Sequence, residues 1–222
     1  MTIEAPTQAH DLDRINRELE GRSARAILGW AFDTFGSRIA VAASMADTVL
    51  VHLATQVDPD VEVIFLDTGF HFPETLLTVR RAQSHYRLNL RVERPEPNAP
   101  DLFAVGTDGC CAARKVAVLD RALAGKEAWL TGLRRSESAT RTATPIVSLD
   151  KRGLVKVCPL VDWSDDDVAS HIAEHNLVVN PLLSQGYPSI GCWPCTERVA
   201  EGDDARAGRW VSSSKTECGL HF

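Results

Sequence analysis

Four short strand-like runs, each separated from the next by a stretch with helical spacing, restrict this chain to very few architectures. They are Arg38-Ile39-Ala40-Val41-Ala42-Ala43, Val61-Glu62-Val63-Ile64-Phe65-Leu66, Asn89 to Glu93, and Ala128-Trp129-Leu130-Thr131. Each is short and dominated by aliphatic or aromatic residues or by alternation, as buried strands are. From Ser23 to Gly36, Ala24, Ile27, Leu28, Ala31, Phe32 and Phe35 fall on one helical face, with Ser23 as N-cap and Gly36 as stop. Further helices are predicted over Thr48 to Gln56, from Pro73 to about Tyr86, and from about Cys111 to Leu123. Alternating strand and helix implies a parallel sheet covered on both faces. Right-handed crossovers then favour an α/β fold with a doubly wound, mainly parallel, nucleotide-binding sheet.

The later chain is less regular. Ile146 to Leu149 and Leu154 to Val157 flank Asp150-Lys151-Arg152-Gly153 as a hairpin, and Ser164-Asp165-Asp166-Asp167 opens a helix to about His175. From Asn180 onward Gly, Pro and charge predominate. A chain of 222 residues fits one domain. Residues 1–36 are expected as its N-terminal helices, 37–195 as its α/β body and 196–222 as an irregular tail.

A net charge of −6 and a pI near 5.6 argue against general nucleic-acid binding. Local clusters, Arg134-Arg135 with Arg141 and Arg206-Ala207-Gly208-Arg209, suit a small anion better than a polymer. No run of about 18 apolar residues and no signal-peptide pattern appears, so no membrane contact and a cytoplasmic location are expected. Reducing conditions there favour ligation or catalysis by cysteines over structural disulfides.

Five of the six cysteines are placed suggestively. Cys110 and Cys111 are adjacent, Cys192 and Cys195 form a C-x-x-C pair, and Cys218 lies close to the end of the sequence. Four thiolates suit either Zn²⁺ or an iron–sulfur cluster. Adjacent side chains reach one small ion only by straining the peptide between them, whereas a cubane offers them different irons. The spacing therefore favours a [4Fe–4S] cluster. Cys158, before Pro159, reads as a small buried thiol. Cys218 sits in a polar, glycine-containing segment and reads as a nucleophile. An ordinary thiol is only slightly ionised at neutral pH, so Lys215 and the arginines of an anion site would favour its reactive form.

Ligands of doubly wound sheets bind beyond the carboxyl ends of the strands. Three segments stand there: Ser44-Met45-Ala46-Asp47, Leu66-Asp67-Thr68-Gly69, and Gly132-Leu133-Arg134-Arg135-Ser136. The first precedes a helix N-terminus, which favours phosphate or sulfate, although Ser and Asp also serve there as ordinary caps. The arginines of the third could grip an anion bidentately.

Together these segments resemble the assimilatory adenylyl-sulfate reductases, the thioredoxin-dependent iron–sulfur type related to phosphoadenylyl-sulfate reductases. The resemblance rests on Leu66-Asp67-Thr68-Gly69 with Pro73-Glu74-Thr75, Cys110-Cys111 with Arg114-Lys115, and Thr131-Gly132-Leu133-Arg134-Arg135. It continues through Cys192-Trp193-Pro194-Cys195-Thr196, Arg206-Ala207-Gly208-Arg209-Trp210 and Lys215-Thr216-Glu217-Cys218-Gly219-Leu220-His221. The family's fold is the adenine-nucleotide α-hydrolase sheet. The resemblance implies that Cys110, Cys111, Cys192 and Cys195 hold a [4Fe–4S] cluster and that Cys218 attacks the substrate's sulfur. It also implies that Ser44, Asp47, Asp67, Thr68, Gly69, Lys115, Arg135, Arg206, Arg209 and His221 surround the nucleotide and its sulfate. Two departures stand out: Met45-Ala46 replaces a glycine usual in the phosphate loop, and Cys158 stands where a non-thiol is common.

The implied reaction reduces adenosine 5′-phosphosulfate to sulfite and AMP through an S-sulfocysteine, for sulfate assimilation and cysteine biosynthesis. The expected reductant is an external thioredoxin or glutaredoxin, since the sequence leaves no room for a fused one; a homo-oligomer is compatible. The alternatives are use of the 3′-phosphorylated nucleotide, alone or as well, an ATP-pyrophosphatase-type enzyme, and a cluster-bearing redox sensor. The second lacks its Ser-Gly-Gly-x-Asp-Ser loop here, and the third leaves the terminal Glu-Cys-Gly-Leu-His without a purpose.

Overall fold

Strand β1, Ile39–Ala42, is wholly apolar and takes the sheet centre, pairing in parallel with β2, Glu62–Leu66, on one side and β4, Ala128–Leu130, on the other. The computed structural model describes residues 9–200, 202–211, 213, 215 and 217–220. β3, Asn89–Glu93, lies outside β2, while β6, Val155–Val157, and β5, Val147–Leu149, extend the other side. The order is β3-β2-β1-β4-β6-β5, parallel except for the β5–β6 hairpin. Successive strand residues point to opposite faces, and the core divides accordingly. Val41, Phe65, Leu130 and Val157 pack on one face. Ala40, Ile64 and Trp129 meet Leu119, Ala122 and Leu123 on the other.

The first face is covered by α1, Ala9–Leu19, α2, Ala24–Phe35, α3, Val49–Val57, and α4, Pro73–Tyr86. Ser23 Oγ accepts the Ala26 N–H at the start of α2, and Gly36, at φ 52°, returns its N–H to the Phe32 carbonyl. Helix α7, Asp165–His175, opens on a reciprocal cap. Ser164 Oγ accepts the Asp167 N–H at 3.1 Å, and the Asp167 carboxylate accepts the Ser164 N–H at 2.8 Å.

The main difference from expectation lies between β3 and β4. The helix predicted from about Cys111 starts nine residues earlier, as α5, Leu102–Cys111. A π-helical turn, Ala112–Val116, then leads into α6, Ala117–Ala122. Asp101 starts α5 by accepting the N–H groups of Phe103 and Ala104, both at 3.0 Å. Gly106, at φ 69°, interrupts the helical backbone, which hides the segment from a periodicity reading. Among the described residues no helix is long and apolar enough to cross a membrane.

Candidate active site

The crossovers from β1 and β4 diverge, and the crevice between these neighbouring strands opens beyond their carboxyl ends, where such sheets bind ligands. A cleft of about 510 Å³ lies there, lined by the segments after β1, β2 and β4 and by the tail. The loop after β1 is held by the segment after α7. Asn180 donates its backbone N–H to the Ala46 carbonyl at 3.0 Å and its amide to Thr75 Oγ1 at 2.9 Å. Thr48 Oγ1 donates to the Val178 carbonyl at 2.7 Å.

Met45 occupies the left-handed region, at φ 60°, and its side chain is fully buried. Two effects oppose each other on Met45→Gly. Relief of the left-handed backbone is worth about 1–2 kcal/mol, whereas emptying a buried methionine site costs about 2–5 kcal/mol. The side chain wins. The variant is expected to lose about 1–3 kcal/mol of stability, read as a lower urea midpoint with unchanged slope; a rise in midpoint would contradict this.

Cys110 and Cys111 close α5, while Cys192 and Cys195 bracket the tight turn Trp193–Cys195. Eighty residues separate the pairs in sequence, yet all four thiols line one small cavity with Thr68, Lys115 and Arg209. The second pair is stitched to the loop after β2. His71 and Cys192 form an isolated bridge, Trp193 donates its N–H to the Phe70 carbonyl at 2.8 Å, and Thr68 Oγ1 lies 3.3 Å from Cys192 Sγ. The six cysteines are all free of disulfides. Burial raises the thiols of Cys110 and Cys195 above the ordinary range and pushes Cys111 up to about 11. Among the described residues, no three His, Cys, Asp or Glu are grouped to hold a metal ion directly. Four soft donors around a shared cavity, two of them adjacent, fit a larger all-thiolate centre better than one tetrahedral ion.

Lys115 lines both the thiol cavity and the cleft. It is half-buried, and this desolvation opposes its charge, yet the neighbouring thiols of Cys192 and Cys218 raise its pKa above that of an ordinary lysine. Arg209 also lines both spaces. It donates to Ser189 Oγ at 3.0 Å and stacks 4.5 Å over the Trp210 ring, and its buried Nε has no hydrogen-bond partner among the described residues. Burial lowers the pKa values of Arg206 and Arg209. Asp47 lines the cleft with its carboxyl raised by burial, and it accepts the Val49 N–H at 3.0 Å.

The cleft collects Ser44, Asp47, Thr68, Lys115, Arg206, Arg209 and Cys218 of the residues singled out in the sequence. Three others lie elsewhere. Asp67 and Gly69 build the loop after β2 rather than line the cleft: one Asp67 oxygen accepts the Gly69 N–H at 3.1 Å, the other accepts Arg94 Nε at 3.0 Å, and Gly69 adopts φ 80°. Arg135, expected at the anion, points away, paired with Glu20 and Asp162 and donating to the Thr144 carbonyl. Arg134, the neighbouring arginine, lines the cleft: its backbone is extended, whereas Arg135 begins a short 3₁₀ turn that carries its side chain elsewhere. Arg141 lines it too. Both Arg134 and Arg141 belong to the basic cluster that the sequence marks as suited to a small anion. His221 lies outside the described residues. Cys158 is fully buried away from this site, its thiol pushed up to about 12 by burial.

Residues 38–198 match the family model described as phosphoadenosine phosphosulfate reductase domain. An adenosine 5′-phosphosulfate reductase of Streptomyces coelicolor is 50% identical over 218 residues, covering 94% of this chain and 92% of that protein. One of Mycobacterium tuberculosis is 45% identical over 230 residues, covering 92% and 91%. Among solved structures, the phosphoadenylyl-sulfate reductase of Candida auris, a phosphate complex, superposes with a TM-score of 0.77 at 27% identity, covering 88% of this chain and 100% of that one. The FMN adenylyltransferase of Candida glabrata, at 13% identity and a TM-score of 0.62 over 87% and 68%, shares the fold alone.

Proposed function

This chain belongs to the phosphoadenosine phosphosulfate reductase domain family, and from that premise we propose that it reduces adenosine 5′-phosphosulfate to sulfite and AMP. The single observation that carries the reading is the convergence of Cys218, Lys115 and Arg209 on one nucleotide-sized cleft at the sheet's switch point. The curated relatives bear this substrate in their names at about half identity over nearly their whole length.

The substrate's phosphate–sulfate anhydride makes AMP a good leaving group. The Cys218 thiolate attacks sulfur in line, the sulfur–oxygen bond breaks, and AMP departs with that electron pair, leaving S-sulfocysteine. An external thiol, of the thioredoxin or glutaredoxin class, then attacks Cys218 Sγ. The sulfur–sulfur bond breaks, sulfite leaves with its electron pair, and the reductant's second thiol resolves the mixed disulfide. Lys115 and Arg209 offset the negative charge that would otherwise repel a thiolate from an anionic substrate. Ser44 and Thr68 line the cleft and would supply hydroxyl donors to phosphate or sulfate oxygens, and Asp47 shapes the loop through its Val49 contact. Both electrons are accounted for by thiols.

Cys110, Cys111, Cys192 and Cys195 are the residues that would hold a [4Fe–4S] cluster. Bound there, it would supply a charged centre beside Lys115 and brace the loops after α5 and β2. Anaerobically purified protein should then be brown, with about four irons per chain; colourless protein with one zinc would reverse this assignment.

The decisive test mixes enzyme with adenosine 5′-phosphosulfate without reductant. One sulfonate on the Cys218 peptide with one equivalent of AMP is expected, and AMP accumulating beside an unmodified peptide would sink the mechanism. The Candida auris neighbour is named for the 3′-phosphorylated nucleotide, so steady-state rates with both nucleotides decide between strict and dual use.

A further inference from the structure

Glu217 precedes the thiol that the proposed reaction uses, and its side chain is among the most heavily engaged carboxylates in the molecule. Arg141 donates from Nε to one carboxylate oxygen at 2.9 Å and from Nη2 to the other at 2.8 Å. Arg206 Nη2 adds a third contact at 3.0 Å, Thr140 Oγ1 a fourth at 3.0 Å, and Ser138 Oγ a fifth at 3.3 Å. The side chains of Arg141, Glu217 and Arg206 are only 7%, 11% and 13% exposed. Exposed ion pairs contribute little, but a forked, largely dry pair supported by neutral donors belongs to a stronger class. Arg141 also pairs with Glu137, so this group of two arginines and two glutamates is neutral overall.

We propose that Glu217 is a positioning residue: its carboxylate clasps the socket formed by Ser138, Thr140, Arg141 and Arg206, and so seats the adjacent Cys218 in the cleft. This rests on the reading of Cys218 as nucleophile. Adjacent Cα atoms are about 3.8 Å apart across a trans peptide, so fixing one side chain leaves its neighbour little freedom. Cys218 is accordingly buried, at 9% exposure, on a segment with little regular structure of its own. The assignment also moves Arg206, and Arg141 with it, from the substrate's anion to the tail. Both guanidinium groups meet Glu217, which leaves Lys115 and Arg209, with Arg134 also lining the cleft, as cations for the sulfate.

The clasp does not titrate in the working range. Burial alone would raise the Glu217 carboxyl, but the hydrogen bond and charge of Arg141, with Arg206, hold it at about 2 against an ordinary 4.5. Its contribution is therefore complete above pH 4.5 and fades only as pH falls towards 2.

Two readouts test the proposal on full-length protein, in the wild type, Glu217→Gln and Glu217→Asp. In the first, iodoacetamide labels the nucleotide-free protein and the Cys218 peptide is quantified by mass spectrometry, with the Cys158 peptide as internal control. Loss of a buried charged hydrogen-bond pair should raise Cys218 labelling about tenfold in Glu217→Gln, with Cys158 unchanged. In the second, adenosine 5′-phosphosulfate is added without reductant and the sulfonate on Cys218 is followed in a single turnover. The clasp requires slower sulfonation by about tenfold with nucleotide affinity unchanged, and partial rescue in Glu217→Asp.

The sign separates position from charge. If Glu217 acted only through its field, removing its negative charge would favour the thiolate and speed sulfonation. Sulfonation at or above the wild-type rate, or unchanged Cys218 labelling, overturns the proposal. A wild type that forms no sulfonate at all defeats the functional reading instead, and the labelling arm still decides whether Glu217 holds the tail.

Discussion

Cys218→Ser is expected to bind nucleotide as the wild type does while sulfite formation falls at least about 10³-fold, the scale on which enzymes lose rate with their covalent nucleophile. Serine nearly matches cysteine in size, so the buried position is not emptied and the contacts of Glu217 remain possible. Its hydroxyl, however, is almost un-ionised at neutral pH, and among the described residues the one histidine lining the cleft that could deprotonate it is His71. That ring already binds the Leu66 carbonyl through Nε2 at 2.8 Å. Three measurements on one preparation check the expectation: AMP affinity, sulfite release with reduced thioredoxin, and the mass of the Cys218 peptide after exposure to substrate. Retained turnover, or a sulfonate found on another cysteine, would move the nucleophile elsewhere.

Lys115→Met should lower the rate of Cys218 sulfonation by about 10²–10³, the loss typical of removing one preorganised cationic donor from a transition state. Lys115 stands between the thiol cavity and the cleft and is held charged by its sulfur neighbours despite partial burial. Methionine keeps an unbranched apolar stem of similar length, so packing is preserved and the missing quantity is charge. Because a half-buried cation is partly desolvated at a cost, thermal stability should hold or rise. A slower sulfonation with an unchanged melting midpoint is thus the expected pair of results. Loss of stability in proportion to loss of rate would instead make Lys115 a structural residue.

The parallel sheet was readable in the chain because a buried strand must be short and apolar, and β1 and β2 are both. Ser23, Gly36 and Pro73 likewise declare their helix ends, since caps and fixed φ values act within a few residues. Helix α5 was not readable: its cap at Asp101 follows a proline-rich stretch and Gly106 breaks its period. The same limit applies to the arginines. Arg134 and Arg135 are equivalent in composition, but the backbone passes from extended at Arg134 into a 3₁₀ turn at Arg135, and one lines the cleft while the other meets Glu20 and Asp162. Arg141 was legible only as part of a basic cluster, and its carboxylate partner, 76 residues away, leaves no local signature.

What the amino-acid order settled unaided was the alternation that forces a doubly wound sheet and the kinds of atom available for chemistry, four paired sulfurs and a fifth near the end. Both are properties of residue type and short-range spacing. Only the tertiary structure decided how the other side chains meet: that Lys115 lines both the four-thiol cavity and the cleft, that Arg135 turns to Glu20 and Asp162, and that Glu217 is held by Arg141. Such meetings depend on how crossovers and loops close over tens of residues, and loop closure leaves no periodic trace in the sequence that makes it.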